Sequence, residues 1–325
     1  MRDIHVPRDK IYIPVLGFGC SSLTSVGRKQ ALRLLEGTFD AGIRHFDVAR
    51  YYGYGEAEGI LGTFLKSRRS QVTVTTKFGI EPPRPTSTLR VALGIGRRFL
   101  RLVPSARKVV QQHTSAFVNV KGNAFSAADA QRNLETSLRE LGTDYIDFYL
   151  LHDYVSNESS SEEVVAFLQK CVRMGKIRTF GLGTRIDSVM CALEHEPDLC
   201  AVIQFQNSVL TRNRGKLPSE IANRLVITHG ALGDGYRLLW SFLQENPKTA
   251  NAWSGRLGLD CSEKKTLAAL MLNYAVEANS GGMVLFSSRN AERLRYDAES
   301  VRAPKVKPWQ IKAFAELVEL TPCRC

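Results

Sequence analysis

The 325-residue chain has no cysteine pair at C-x-x-C spacing: its seven cysteines, Cys20, Cys171, Cys191, Cys200, Cys261, Cys323 and Cys325, are scattered. That excludes a zinc ribbon and a disulfide framework, so reduced thiols and no metal centre are expected. No apolar run approaches the ~20 uninterrupted residues of a membrane-spanning helix, and no stable membrane insertion is expected. The first residues, MRDIHVPRDK, are too charged for the apolar centre of a secretory signal, so a cytoplasmic protein is the expectation. Acidic residues are also in deficit: 32 Asp and Glu face 44 Lys and Arg, a net charge of +12. Such a balance suits nucleic acid, yet no zinc finger, RNP motif or other reading module accompanies it, and nucleic acid is not expected as a partner. No linker rich in Pro, Gly or Ser divides the chain, and residues 1–325 read as one domain. Oligomeric state is left open.

What the chain does have is 44% hydrophobic residues, enough for a large core, arranged with two periods. Short β-rich apolar runs recur at 15–20, 44–49, 72–77, 145–152, 179–184, 202–207, 225–230 and 281–288. Between them lie stretches of helical period, such as RKQALRLLEGTFDAG with Leu32, Leu35 and Phe39 on one face, and DAQRNLETSLRELG with Leu134, Leu138 and Leu141. Strand alternating with helix eight times is the pattern of an α/β (β/α)8 TIM barrel, whose strands are buried on both sides and therefore read as unbroken apolar runs. A doubly wound dinucleotide fold would need G-x-G-x-x-G after its first strand, and GFGCSSLTSVG does not supply it.

In a barrel of this type the chemistry sits at the C-terminal ends of the strands. Asp47, Lys77 and His152 each close an apolar run, and three tyrosines, Tyr51, Tyr52 and Tyr54, follow Asp47 in HFDVARYYGYGEAE. A carboxylate in an apolar run needs a partner, because an isolated buried charge costs several kcal/mol; Lys77 is the cation that would pair with Asp47. A lysine so held beside a phenol would lower its pKa from the reference of about 10, toward a value useful in proton transfer. A buried ion pair without chemistry is the competing reading. His45 lies two residues before Asp47, on the same side of its strand, and reads as a core histidine with a backbone partner.

D-x-A-x-x-Y-G from Asp47 to Gly53, TTKFG around Lys77 and DFYLLHD ending in His152 and Asp153 resemble the active-site motifs of the aldo-keto reductase family, and the resemblance runs roughly from Val15 to Leu294. It implies a barrel that binds a nicotinamide cofactor without a separate dinucleotide domain and passes a hydride between it and an aldehyde or ketone, or the matching alcohol. By position it makes Tyr52 the general acid, Asp47 and Lys77 the pair that sets its pKa, and His152 the residue that orients the carbonyl. A redox-sensing regulatory or binding subunit with slow turnover, built on the same barrel, remains the alternative.

The resemblance also places the cofactor. Gln204 stands where the family binds the nicotinamide carboxamide; the Ser and Asn expected after the fifth strand are here Gly183 and Thr184, which leaves Thr184 as the polar member. The aromatic residue that stacks under the nicotinamide falls at His229, and Leu232 and Gly233 fit a loop passing close to the pyrophosphate. In LFSSRNAERL, Ser287 stands at the lysine position, Ser288 and Arg293 are kept and Arg289 is added. Arginine forks suit a 2′-phosphate, so NADP is the expected cofactor with NAD as the alternative. Ser21, Tyr51 and Asp153 would form a polar substrate mouth, which fits a sugar-like or polyol-derived aldehyde or a small polar heteroaromatic aldehyde as the small-molecule carbonyl or alcohol substrate.

Residues 81–125, between the third strand and the third helix, hold Arg84, Arg90, Arg97, Arg98, Arg101, Arg107, Lys108 and Lys121 against one acid, Glu81. This basic insertion emerges at the face that carries Lys77, so it is expected to fold over the pocket as a lid. A solvated excursion and a membrane-surface helix are the other readings.

Overall fold

The computed structural model describes residues 3–6, 11–82, 125–155, 161–218, 221 and 223–323. The basic insertion, and the lid expected in it, lie outside the described residues apart from the ends Glu81, Pro82 and Phe125.

The chain opens with an antiparallel hairpin, β1 (Asp3–Val6) and β2 (Ile11–Pro14), in which Val6 faces Ile11. Eight parallel strands then close into a barrel: β3 (Leu16–Gly19), β4 (His45–Asp47), β5 (Thr73–Phe78), β6 (Ile146–His152), β7 (Ile177–Gly183), β8 (Val202–Gln206), β9 (Leu225–His229) and β10 (Met283–Phe286). Each lies beside its successor, and β10 returns to β3 through pairs such as Leu285 with Gly17. All eight apolar runs are strands of this (β/α)8 barrel.

Two layers of apolar side chains explain why the runs do not alternate. Inside, Phe148, Leu150, Val202, Leu225, Ile227, Met283 and Leu285 form one buried cluster, and Ile13 of the hairpin joins it at the N-terminal end of the strands. The hairpin therefore closes the bottom of the barrel. Outside, Phe46, Val74, Tyr149, Leu151 and Leu182 pack against the surrounding helices.

Helix Arg28–Asp40 buries Ala31 and Leu35 against that outer face, with Leu32 and Phe39 partly buried and packed against the same cluster; Leu34 is buried as well. The expected face of Leu32, Leu35 and Phe39 is thus the one turned to this core, with Leu35 at its centre. Helix Ala127–Leu141 buries Leu134 and Leu141; the Ser126 hydroxyl accepts from the Asp129 N–H at its start, and Gly142 ends it in the left-handed region. Helices Asp234–Glu245, Pro247–Leu257, Lys264–Ala278 and Pro308–Glu319 share a second core through Leu239, Trp253, Leu270 and Phe314. Among the described residues no helix is long and apolar enough to cross a membrane.

Candidate active site

Because β4, β5 and β6 are neighbours in register, their C-terminal ends bring Asp47, Lys77 and His152 together at one rim. Lys77 Nζ donates to Asp47 Oδ1 at 2.6 Å and to the Val48 carbonyl at 3.2 Å, and both side chains of the ion pair are almost wholly buried. From β8, across the barrel, Gln204 Nε2 donates to Asp47 Oδ2 at 3.0 Å. The loop after β4 sets the Tyr52 ring above this pair, its centroid 5.4 Å from Lys77 Nζ. The ring of His152 stands edge-on to it, 5.9 Å between centroids.

Burial governs the protonation of these groups. It works against the charge of Lys77, but Asp47 and then Tyr52 outweigh it and hold the ammonium above its ordinary pKa. Burial raises the Tyr52 phenol; the charge of Lys77 opposes that rise without overcoming it. The expected lowering of the Tyr52 pKa is therefore corrected: the cation is in place, but desolvation of the phenolate is the larger effect. His152 is pulled down to about 3 by burial and by Lys77, so its imidazole is neutral at physiological pH. Its Nδ1 is buried with no hydrogen-bond partner among the described residues.

His45 is a core residue, as read, but its partners are side chains: Nδ1 meets Thr73 Oγ1 at 2.9 Å and Nε2 meets Thr75 Oγ1 at 3.2 Å. Burial, then Lys77, depress it to about 3. The strand register, with His45 beside Thr73, makes those pairs.

Asp47, Tyr52, Lys77 and His152 open into one cavity of about 1520 Å3, which also takes in every residue named for the cofactor: Thr184, Gln204, His229, Leu232, Gly233, Ser287, Ser288, Arg289 and Arg293. Near the rim, Gln204 is almost wholly buried and its Oε1 has no partner among the described residues. A Cβ on Gly183 would lie 3.1 Å from that oxygen, so glycine leaves it room. The Thr184 hydroxyl is already engaged, donating to the Tyr154 carbonyl at 2.8 Å. His229 is accessible at the end of β9 between the cavity walls, which hold its pKa down to about 4, with Asp47 opposing and Lys77 assisting.

At the far end, Gly233 (φ 70°) precedes helix Asp234–Glu245, and the Asn290 side chain accepts from the Arg293 N–H to start helix Ala291–Arg302. Ser288 is buried and its hydroxyl donates to the Asn290 carbonyl at 3.0 Å, while Ser287, Arg289 and Arg293 are exposed. Arg237, Lys264, Lys265, Tyr236, Tyr296 and Asp297 line the same end and were not legible from motifs. Asp297 is the most unusual of them: it is buried, its Oδ2 has no partner among the described residues, and burial raises its pKa to about 7 against the pull of Arg293.

Of the expected substrate residues, Ser21 and Asp153 line the cavity together with Asp47, Tyr52, Lys77 and His152, as do Ser22, Arg185 and Asp187. Asp153 follows His152 in the left-handed region (φ 52°) and its N–H donates to the Gly183 carbonyl at 2.8 Å. Burial raises its carboxyl, against Lys77 and Arg185. Tyr51 is half-buried and is not among the residues lining the cavity; it sits one position before the turn that presents Tyr52.

A model of the Aldo/keto reductase family matches residues 15–319. Among curated proteins the chain is similar to a D-threo-aldose 1-dehydrogenase of a Pseudomonas species, 28% identical over 58% of this chain and 55% of that relative. The match thus spans about half the length of that relative. It is also similar to a pyridoxal 4-dehydrogenase of Microbacterium luteolum, 26% identical over 89% of both chains. Among solved structures it resembles an aldo-keto reductase from Bacillus halodurans in its holo form, with TM-score 0.70 and 20% identity over 98% of this chain and 96% of that one. It also resembles an aldo-keto reductase from Klebsiella pneumoniae in complex with NADPH, with TM-score 0.65 and 18% identity over 100% and 98%. At such identities the structural likeness speaks for the barrel.

Proposed function

The chain belongs to the aldo/keto reductase family of oxidoreductases, and from that premise we propose that it is an NADP-dependent enzyme that reduces a polar, sugar-like aldehyde or ketone or oxidises the matching alcohol. The observation that carries the proposal is the buried Lys77–Asp47 ion pair beneath Tyr52, beside a neutral His152, at the head of a cavity that runs to Arg289 and Arg293.

Tyr52 keeps its proton at neutral pH and is the acid for a substrate oxygen. Lys77 stabilises the phenolate left behind, and Asp47 keeps that ammonium charged. The neutral imidazole of His152 hydrogen-bonds the substrate oxygen and orients the carbonyl. NADPH, when bound, supplies the hydride. The residues present suit it: Gln204 Oε1 offers a carboxamide N–H2 an unpaired acceptor, and Arg289 and Arg293 flank a helix N-terminus suited to a 2′-phosphate. Thr184, with its hydroxyl turned to Tyr154, contributes less than the family pattern implies.

The polar lining by Ser21, Ser22 and Asp153 supports a hydroxylated or polar heteroaromatic substrate, because polar groups that lose water on binding must be paired by the ligand. The names of the relatives, an aldose dehydrogenase and a pyridoxal dehydrogenase, agree with that class.

Cofactor fluorescence titration with NADPH and NADH, followed by steady-state turnover on an aldehyde panel, tests the reading. Tyr52→Phe should lower kcat at least ~10²-fold with cofactor affinity nearly unchanged, while Tyr51→Phe should change it far less. Equal losses in the two variants would show the acid to be misassigned, and turnover far below ~1 per second on every aldehyde would favour a redox-sensing subunit.

A further inference from the structure

The loop that presents Tyr52 is an unstable shape held from both sides. Gly53, Tyr54 and Gly55 follow Tyr52 with φ of 60°, 58° and 87°, three successive residues in the left-handed region. For a tyrosine that conformation costs on the order of 1 kcal/mol or more, and the Tyr54 side chain, exposed to solvent, offers little anchorage. At Gly53 a Cβ would stand 2.2 Å from Thr24, so no other residue fits there without displacement.

What brackets the run is an ion pair eight residues apart in sequence. Arg50 Nη1 donates to Glu58 Oε2 at 2.6 Å, and the Glu58 side chain is fully buried. Glu58 lies in the first turn of helix Glu56–Leu65, where the helix dipole favours a carboxylate. Its other oxygen, Oε1, accepts from Thr76 Oγ1 at 2.7 Å. Thr76 is the residue before Lys77 on β5, and the Arg50 N–H reaches back to the Lys77 carbonyl at 3.4 Å. One carboxylate thus ties the loop carrying the phenol to the strand carrying the ammonium beneath it.

We propose that Glu58, through Arg50 and Thr76, is a positioning residue that fixes the Tyr52 phenol over Lys77. The inference rests on Tyr52 being the proton donor. Proton transfer is sensitive to placement, and a shift of about 1 Å can cost up to ~10²-fold in rate. Glu58 does not touch the substrate; its contribution passes through Tyr52, and that dependence can be measured.

The test is a double-variant cycle on single-turnover reduction, with Glu58→Gln, Tyr52→Phe and both together. Glu58→Gln keeps an acceptor for Thr76 but loses the charge facing Arg50. It should lower the hydride-transfer rate roughly tenfold or more with NADPH affinity within about twofold of the parent, and the same substitution should cost less than about twofold in the Tyr52→Phe background. Arg50→Gln approaches the bracket from its solvent side and should repeat the result should Glu58→Gln fail to fold. A loss of the same size with and without the Tyr52 hydroxyl, or a change in melting temperature without a change in rate, would overturn the proposal. Failure of Tyr52→Phe itself to slow the reaction would instead overturn the assignment of the acid.

Discussion

Lys77→Met should separate the two things that the buried ion pair does. With the ammonium gone, Asp47 keeps the Gln204 amide at 3.0 Å as its one side-chain partner among the described residues, and is left as a buried charge with no counter-ion among them. Breaking a buried pair from one side costs about 3–5 kcal/mol. Asp47→Asn strands the ammonium in turn, with the Val48 carbonyl at 3.2 Å and the Tyr52 hydroxyl still beside it, and should cost a similar amount. The double variant removes both charges, so its cost should fall short of the sum of the two by at least ~2 kcal/mol. Activity should not follow stability. Lys77 is the largest influence opposing the burial-driven rise of the Tyr52 pKa, and neither Lys77→Met nor the double variant retains it. Urea denaturation at pH 7 gives the stabilities and single-turnover hydride transfer gives the rates: the double variant should regain stability relative to the sum of the singles while its rate stays at least ~10²-fold down. Additive stability losses, or a rate that recovers together with stability, would refute the reasoning.

Two further outcomes concern the far end of the cavity. Replacing both Arg289 and Arg293 by alanine should weaken NADPH at least ~10-fold more than NADH in a fluorescence titration, since each charge-assisted contact contributes about 1.5–3 kcal/mol and only NADPH carries the 2′-phosphate; equal weakening would remove that role. Asp297 has a carboxyl raised by burial from 3.8 to about 7, so the folded chain holds a proton that the unfolded chain releases: its contribution to stability is full below pH 3.8 and is lost as pH rises through about 7. Asp297→Asn should therefore raise the melting temperature of cofactor-free protein relative to the parent at pH 8 and not at pH 4, with an upper bound of about 4 kcal/mol from the rise from 3.8 to about 7; an equal difference at both pH values would contradict it.

The barrel was legible because parallel strands buried on both faces leave an unbroken apolar record, and Asp47, Lys77 and His152 stood out as the charges and imidazole that interrupt that record at its ends. The hairpin left no such record: IYIP gains its value only when Ile13 meets Phe148 and Met283 at the bottom of the closed barrel. Helix Arg28–Asp40 was legible with its core face, Leu32, Leu35 and Phe39, but LRLLEG holds apolar residues on adjacent faces, and periodicity alone does not tell that Leu34 is buried too. At the far end of the cavity, Lys264, Lys265 and Asp297 sit on helices where a charge in the sequence looks the same whether it faces water or a cavity. The Tyr52 pKa departs from the sequence expectation for a related reason: a cation can be counted from the sequence, whereas desolvation depends on what the fold stacks around the phenol.

Asp47 joins the two halves of the proposed chemistry. One of its oxygens takes the Lys77 ammonium and the other takes the Gln204 amide. A carboxylate only accepts, so it fixes which end of Gln204 is the N–H2 and leaves Oε1 as the unpaired acceptor in the cavity wall. Gly183 stands close to both partners of Asp47: a Cβ there would lie 3.1 Å from that oxygen, tighter than an ordinary contact, and 3.4 Å from the Lys77 stem, an ordinary one. One buried carboxylate thus holds both Lys77, on the proposed proton side, and Gln204, on the proposed cofactor side. Loss of the hydroxyl that the family supplies at residue 183 is compatible with a cofactor held chiefly through Gln204 and the basic far end of the cavity.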